Sequence, residues 1–228
     1  MALRLESRPV GDVLVIQCHG RIVAGNDVYA LHAQVGDSFA HHADVVLQLD
    51  GVDFVDSSGL GAMVRLVQTA RSKGGDLKLS RVPPGLRRSL EMTNLISQFE
   101  LYDSVDEAIT AAYLGSRYSR GIEGDARPRV LCLYESSDVR AFLREVLISA
   151  GYNAMTVANI DDAKILLKAT KAKLVLMSAH LQSYYGRATS KVLQEVDPAI
   201  TLIVLDENFA TLEPGEAAQK LLAGVGAK

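Results

Sequence analysis

The sequence is poor in the residues that mark several common classes of protein. Its 228 residues include only two cysteines, Cys18 and Cys132, which lie in separate apolar runs without Cys-x-x-Cys spacing. Such cysteines are typical of reduced core residues rather than of disulfide frameworks or zinc sites. His41 and His42 are adjacent, a spacing that points their side chains apart, so we expect no metal site.

Charge and long hydrophobic runs are also limited. The chain has 24 basic and 27 acidic side chains, a net charge of −3, and no basic stripe with interleaved aromatic residues. We therefore expect no direct binding to nucleic acid. No segment approaches the roughly 20 apolar residues that span a bilayer, and the N-terminus lacks an apolar signal core. These absences predict no membrane insertion and a cytoplasmic location.

Two motifs of common enzymes are missing as well. The sequence contains neither a phosphate-cradling Gly-x-x-x-x-Gly-Lys-Ser/Thr loop nor a Gly-x-Ser-x-Gly elbow. Ser57 precedes glycines, but no histidine base can be identified for it. We expect a binding protein rather than an enzyme.

What the chain does have is enough apolar sequence for globular packing. Apolar residues make up 48% of it, which suits one large domain or two ordinary ones. Strand and helix patterns alternate over residues 1–115 and predict a mixed sheet covered by helices. Residues 116–128 lose apolar periodicity and predict a linker. Residues 129–228 predict a second α/β domain with a parallel sheet.

The periodicity assigns individual elements along both halves. The predicted strands are residues 3–8, 13–18, 45–49, 77–79, a short strand near Phe99, then 130–133, 154–157, 174–177 and 200–205. The predicted helices are residues 26–40, 58–73, 84–92 and 105–114, then 138–150, 161–170 and 188–195.

The most informative segment is the Asp-Ser-Ser-Gly-Leu-Gly run at residues 56–61, which joins a buried strand to a helix. The first amides of a helix lack intrahelical partners and carry the positive end of its dipole, so they accommodate a hydroxyl or a phosphate. Phosphate on Ser57 would add about −1.5 to −2 charge near Asp53 and Asp56. Such a surface would repel an acidic partner without refolding the domain.

A simpler interpretation of this segment stays open at this point. Asp56, Ser57 or Ser58 can serve only as the N-cap of the helix. Gly59 and Gly61 can serve only to permit close packing.

The same segment resembles the STAS domain of bacterial anti-anti-sigma factors, in which an Asp-Ser-Ser-Gly-Leu-Gly turn recurs. The resemblance covers about residues 3–114 and includes the stretches 74–79, 88–95 and 99–108. Asn94 stands where these proteins often have glycine. Asparagine adopts the left-handed backbone more readily than most other residues, so we expect the turn to be kept.

The resemblance implies a STAS-like mixed sheet with helices and a partner-switching function in transcription regulation. It identifies Ser57 as the phosphorylation site. In that family, the unphosphorylated form binds an anti-sigma factor that is also a serine kinase, and phosphorylation releases it. The kinase supplies ATP, so this chain would need no cofactor. The implied partner-binding residues are Asp53, Asp56, Ser57, Ser58, Gly59 and Arg65.

A second function is compatible with the same resemblance. A STAS-type accessory subunit could dock on a transport complex through this turn without being phosphorylated. The double serine, Ser57 and Ser58, favours the switch.

The second half resembles the receiver domain of response regulators, particularly over residues 129–140 and 147–152. This resemblance implies a truncated flavodoxin-like parallel sheet whose chemical positions are degenerate. Tyr134 and Glu135 replace the acidic pair, Ser178 replaces the phosphorylated aspartate, and Asp206 replaces a hydroxyl residue. Mg²⁺ prefers several carboxylate oxygens, so aspartyl phosphorelay is not expected and the domain is interpreted as an interaction module.

Two questions about this half follow from the resemblance. Ser178 is either a new phosphoserine, with His180 as its base, or part of a relict loop, which we favour because no orienting partner is evident. The strand at residues 200–205 would lie at a sheet edge, since a fifth strand is missing. That edge either pairs with another copy in a homodimer or is covered by residues 208–228, unless the chain is a shortened one.

Overall fold

The structure, a computed structural model, describes residues 1–119 and 127–226. The chain divides into two compact units, residues 1–124 and 125–228. Residues 120–126 of the predicted linker 116–128 lie outside the described residues. The last helix of the first unit extends to Ser119, so the beginning of that linker is helical backbone.

The described part of the first unit contains a five-stranded mixed sheet with the order β1-β2-β3-β4-β5. The strands β1 and β2 are antiparallel, and β2 to β5 are parallel. The mixed sheet predicted from sequence is confirmed. The strands are β1 (Arg4–Val10), β2 (Val13–Ile22), β3 (Asp44–Val55), β4 (Asp76–Ser80) and β5 (Leu101–Tyr102).

Helices cover both faces of this sheet. They are α1 (Asn26–Ser38), α2 (Ser57–Ser72), α3 (Pro84–Met92) and α4 (Val105–Ser119). The buried stripe of α2 includes Leu60, Met63, Leu66 and Val67, at the spacing of one helical face, and it packs with α1 and α3 on the core. Each such buried side chain contributes roughly 1.5–3 kcal/mol to stability. α4 packs on β2, β3 and β4.

The described part of the second unit contains a parallel four-stranded sheet and a separate two-stranded hairpin. The sheet consists of β6 (Arg129–Leu133), β7 (Asn153–Val157), β8 (Leu174–Ser178) and β11 (Thr201–Leu205), and the hairpin of β9 (Ser183–Tyr184) and β10 (Arg187–Ala188). The helices are α5 (Ser137–Ser149), α6 (Ile160–Thr170), α7 (Thr189–Val196) and α8 (Pro214–Gly226). The sheet order β11-β8-β6-β7 makes this unit an α/β structure.

The strand β11 lies at one edge of the sheet, as the sequence predicts. The helix α8 does not cover the open backbone edge of β11. Instead, α8 buries Ala217, Leu221 and Val225 in a core shared with α5, where Leu205 is also buried. Val204 remains 43% exposed. Residues 208–226 thus cover one face of the sheet, and within the described residues no strand pairs with the outer edge of β11.

Several local details test the sequence predictions. Asn94 has a φ of 55°, so the expected left-handed turn is confirmed. The short strand predicted near Phe99 lies slightly later, at Leu101–Tyr102. The hairpin of β9 and β10 and the helix α8 were not predicted. In the parts of the chain that are described, no helix is both long and apolar enough to cross a membrane.

Candidate functional site

A β-bulge determines which side chains of β3 reach the surface before the Asp-Ser-Ser-Gly turn. Gly20 pairs with Val52 and Arg21 pairs with Phe54, so Asp53 is an extra residue in β3. Regular alternation would place Phe54 on the buried face with Val52. Because the bulge shifts the phase, Val52 is buried, whereas Asp53 is exposed and Phe54 is 56% exposed. The bulge therefore presents an aromatic ring three residues before Ser57.

Asp56 is the N-cap of α2. Its Oδ1 accepts a hydrogen bond from the Gly59 N–H at 2.8 Å, and its Oδ2 accepts one from the Ala24 N–H at 2.9 Å. The Asp56 N–H donates to the Ile22 carbonyl at 3.2 Å. This side chain thus closes the helix and ties it to the loop between β2 and α1. The capping alternative is correct for Asp56 and leaves the two serines without that task.

Ser57 and Ser58 occupy the first two helical positions of α2, and both are exposed. Within residues 1–119 and 127–226, neither hydroxyl takes part in a hydrogen bond. The hydroxyls therefore lie at the positive end of the helix dipole and in contact with solvent. A hydroxyl in this position is accessible to a modifying enzyme.

The charge next to Ser57 is already negative. Hydrogen bonds from the Ala24 amide and then from the Gly59 amide lower the pKa of the Asp56 carboxyl, so it is ionised at neutral pH. The exposed carboxyl of Asp53 lies nearby in the chain. A phosphate on Ser57 would concentrate about three negative charges, those of the phosphate and of Asp56, within two adjacent residues.

Gly59 shapes the site rather than contacting solvent, because it is buried. A Cβ at this position would lie 2.3 Å from the Ile22 carbonyl oxygen and 2.7 Å from Val55 Cγ1. The close approach of α2 to the end of β2 therefore requires glycine. At Gly61 the nearest atom to an added Cβ would be Arg65 Nη1 at 3.3 Å, the mobile end of a long side chain.

Arg65 extends this surface along α2. It is exposed, and its Nε lies 3.4 Å from His32 Nε2 on α1. Tyr29, one turn before His32 on α1, is 75% exposed. We name the exposed residues Tyr29, Asp53, Phe54, Ser57, Ser58 and Arg65 the switch surface.

Sequence reasoning missed Phe54 and Tyr29. A bulge has no reliable signature in a single sequence, so strand alternation hides Phe54. The exposure of Tyr29 could have been predicted from the periodicity of α1, because Tyr29 lies outside the buried stripe formed by Leu31 and Val35.

In the second unit, the four positions that the receiver resemblance identifies, Tyr134, Glu135, Ser178 and Asp206, lie at the carboxyl ends of β6, β8 and β11. Tyr134 is 4% exposed, and Ser178 is fully buried. The Ser178 hydroxyl accepts the His180 N–H at 3.2 Å. His180 thus contacts Ser178 through its backbone. A phosphoacceptor has to be exposed to solvent. Ser178 and the neighbouring Tyr134 are both buried, and the Ser178 hydroxyl already takes part in a hydrogen bond.

The remaining carboxylates at this edge do not converge on a metal. Glu135 is exposed, and Asp206 is paired with Lys220 of α8, whose hydrogen bond lowers the pKa of Asp206. Arg140 Nη1 donates to the carbonyls of Tyr134 and Glu135 at 2.8 and 2.6 Å. Over the described residues, no three His, Cys, Asp or Glu side chains gather as metal ligands.

Comparisons with known proteins concern the first unit. Residues 4–108 match the family model of the STAS domain. The anti-sigma F factor antagonist of Paenibacillus polymyxa is 27% identical over 111 residues, which are 48% of this chain and 95% of that protein. The STAS resemblance predicted from sequence is confirmed over this range. The receiver resemblance of the second half stays a prediction.

Two solved structures are similar to part of this chain. An anti-sigma factor antagonist of Mycobacterium paratuberculosis is 24% identical, with 49% of this chain and 94% of that chain covered at a TM-score of 0.44. The Bacillus cell fate determinant SpoIIAA in its phosphorylated form is 20% identical, with 48% and 98% covered at a TM-score of 0.40.

Proposed function

We propose that residues 4–108 act as an anti-sigma factor antagonist that is switched off by phosphorylation of Ser57. The observation that carries the proposal is the exposed Ser57 hydroxyl at the start of α2, which forms no hydrogen bond within residues 1–119 and 127–226, while Asp56 caps the helix. The STAS match over this range and the relative from Paenibacillus polymyxa support it. The partner is an anti-sigma factor with serine kinase activity, and this chain is its ligand and substrate rather than an enzyme.

The unphosphorylated switch surface is suited to a protein contact. Phe54 and Tyr29 are exposed aromatic side chains, a residue type enriched at binding hot spots. Ser57 and Ser58 are small, so a partner can approach the backbone of the first turn of α2 closely. Phe54 is the proposed anchor because the bulge at Asp53 holds it outward against the regular strand pattern.

Phosphorylation would end binding by charge and by volume. The dianion would lie beside the ionised Asp56. The Gly59 N–H already donates to the Asp56 carboxylate, so it is not available to donate to a phosphate oxygen. The new charge therefore stays at the surface, where it repels an acidic partner patch and holds the two proteins apart. No rearrangement of the core is needed.

Kinase labelling tests the site. The full chain is incubated with its cognate anti-sigma factor kinase and ATP, and phosphopeptides are identified by mass spectrometry. We expect label on Ser57, no label on Ser57→Ala, and normal label on the matched variant Ser58→Ala. Label confined to Ser58, or no label together with stable association with a transport ATPase, would refute the switch and favour an accessory transport subunit.

Binding measurements test the surface separately. Ser57→Asp should abolish binding to the kinase, and Phe54→Ala should weaken it about 30-fold or more, since a hot-spot aromatic contributes about 2 kcal/mol. Met92→Ala is the control, because Met92 is 78% exposed on α3, outside the switch surface. Equal effects of Phe54→Ala and Met92→Ala would remove the anchor assignment.

For the second unit, we propose an interaction module that forms a homodimer through β11. The Thr201 N–H donates at 2.7 Å to the carbonyl of Lys173, the residue before β8, so the backbone groups of Leu202 and Val204 point to the open edge. This edge carries no charged residue or proline to block pairing. A two-fold axis would place the same uncharged strand of a second copy against it.

A further inference from the structure

A groove of about 420 Å³ lies in the second unit between α6, α7 and the hairpin of β9 and β10. Its polar lining is mainly basic and aromatic. The residues that matter for its chemistry are Lys164, Lys168, Tyr184, Tyr185, Arg187 and Glu195. The volume falls within the range of about 300–1,000 Å³ typical of small-molecule sites.

The hairpin presents Tyr185 at the cost of an unfavourable backbone. Tyr185 and Gly186 form the turn, with φ of 47° and 73°. Two positive φ values are the requirement of a type I′ turn, whose first position normally holds asparagine, aspartate or glycine. A tyrosine there is strained, and its ring is 88% exposed, so burial does not compensate for the strain. An exposed ring kept in a costly conformation indicates a binding role.

Contacts with neighbouring residues hold Tyr184 and the base of the hairpin in place. Tyr184 and Tyr185 meet edge to face, with ring centroids 4.6 Å apart, and the Tyr184 hydroxyl bonds to Asp161 at 2.5 Å. At the base of the hairpin, the fully buried Thr189 donates its N–H to the Gln182 carbonyl at 2.9 Å. The rings therefore form a preorganised aromatic wall of the groove.

Positive charge lines the groove beside this wall. Lys164 Nζ lies 5.5 Å from the centroid of the Tyr184 ring and 3.1 Å from Asp161. Lys168, one turn further along α6, is exposed, and among the described residues it forms no ion pair. Arg187 pairs with Glu195, but both side chains are more than half exposed, and such pairs are weak. The guanidinium can therefore exchange this carboxylate for a phosphate, which it binds through two parallel hydrogen bonds.

We propose that this groove binds a free nucleotide. The planar base stacks on Tyr185, and the phosphates lie between Lys168 and Arg187. An aromatic face recognises the π surface of any base, and the two cations recognise the phosphate charge. The proposal concerns the second unit alone and does not depend on the switch at Ser57.

Calorimetric titration of the full chain with ADP and with GDP tests the ligand class. We expect saturable binding of one nucleotide per chain, at least about fivefold tighter than that of inorganic phosphate or of adenosine, because stacking and charge both contribute. Binding of phosphate as tight as that of ADP would overturn the role of the ring. Failure of both nucleotides to bind, tighter binding of a short single-stranded DNA, or binding of a polyglutamate peptide instead would each overturn the proposal.

Variants test the site itself. Tyr185→Asn removes the ring but suits the left-handed turn, so nucleotide binding should fall at least about fivefold while Tm rises. Lys168→Gln should weaken binding and reduce its salt dependence, whereas Lys171→Gln, an exposed lysine outside the groove, should change neither. Unchanged binding in Tyr185→Asn or in Lys168→Gln would place the ligand elsewhere and refute the assignment.

Discussion

The substitution Gly59→Ala tests how the switch surface is positioned. The added Cβ would lie 2.3 Å from the Ile22 carbonyl oxygen, about 0.7 Å inside the 3.0 Å that such carbon atoms observe as a lower limit. The obstructing atom belongs to the backbone, so it cannot rotate away. The same carbonyl accepts the Asp56 N–H at 3.2 Å. Relief of the clash must therefore move the start of α2 away from the end of β2.

The expected cost follows from two destabilising effects and one stabilising effect. Overpacking of this kind costs about 1–3 kcal/mol. Weakening the Asp56 N–H bond to Ile22 adds about 0.5–1.5 kcal/mol. Replacing a helical glycine by alanine stabilises the helix by about 0.8–1 kcal/mol, which offsets part of this loss. We expect a net loss of about 0.5–3.5 kcal/mol in the free energy of unfolding.

The matched control is Gly61→Ala, two residues later in the same helix. Its Cβ would meet only Arg65 Nη1 at 3.3 Å, so we expect a gain of about 0.5–1 kcal/mol. Hydrogen–deuterium exchange of the full chain, followed by mass spectrometry, reports the first unit separately from the second. The exchange of α2 should accelerate in Gly59→Ala and not in Gly61→Ala. Equal protection of the two variants would refute the close-packing argument.

Three further predictions concern charge and burial. Because amide hydrogen bonds lower the pKa of Asp56, its stabilising effect is present above the usual carboxyl pKa of about 3.9 and is lost as the pH falls through the lower folded value. Thermal unfolding of Asp56→Asn should accordingly depend less on pH below about 4, and an acid profile identical to that of the wild type would contradict this. Ser178→Asp, which restores a receiver-like acceptor, should destabilise the second unit by about 2–4 kcal/mol because the carboxylate would be buried beside Tyr134; thermal unfolding unchanged from wild type would show that the pocket is open after all. Light scattering should detect a dimer that Val204→Lys dissociates, and a monomeric wild type would exclude the homodimer.

The periodic parts of the chain were predictable, and the irregular ones were not. The α2 stripe and the buried β3 follow from local patterns that each segment carries by itself, whereas the left-handed turn at Asn94 was expected from the STAS resemblance. The hairpin was missed because Tyr185 occupies a turn position that sequence rules reserve for smaller residues. α8 had a detectable signal in Ala217, Leu221 and Val225, which are spaced four residues apart.

Some features of the candidate site were predictable from the sequence, and others depended on the fold. The Asp-Ser-Ser-Gly-Leu-Gly segment alone predicted that hydroxyls stand at a helix start behind a buried strand, because capping chemistry and apolar periodicity are local properties. It did not decide which residue caps the helix. In the fold, Asp56 Oδ1 caps the helix at the Gly59 amide, and the Ala24 amide, which lies near Asp56 only after β2 and β3 have paired, donates to Oδ2.

The sequence by itself therefore determined most of the strands and helices and the turn that holds Ser57, since residue type and spacing are properties of each segment. Tertiary structure decided which side chains are exposed. The bulge at Asp53 turns Phe54 outward, the approach of Ile22 leaves no room for a side chain at Gly59, and the packing of the second unit buries Ser178. These outcomes depend on atoms distant in the chain that meet only in the folded protein.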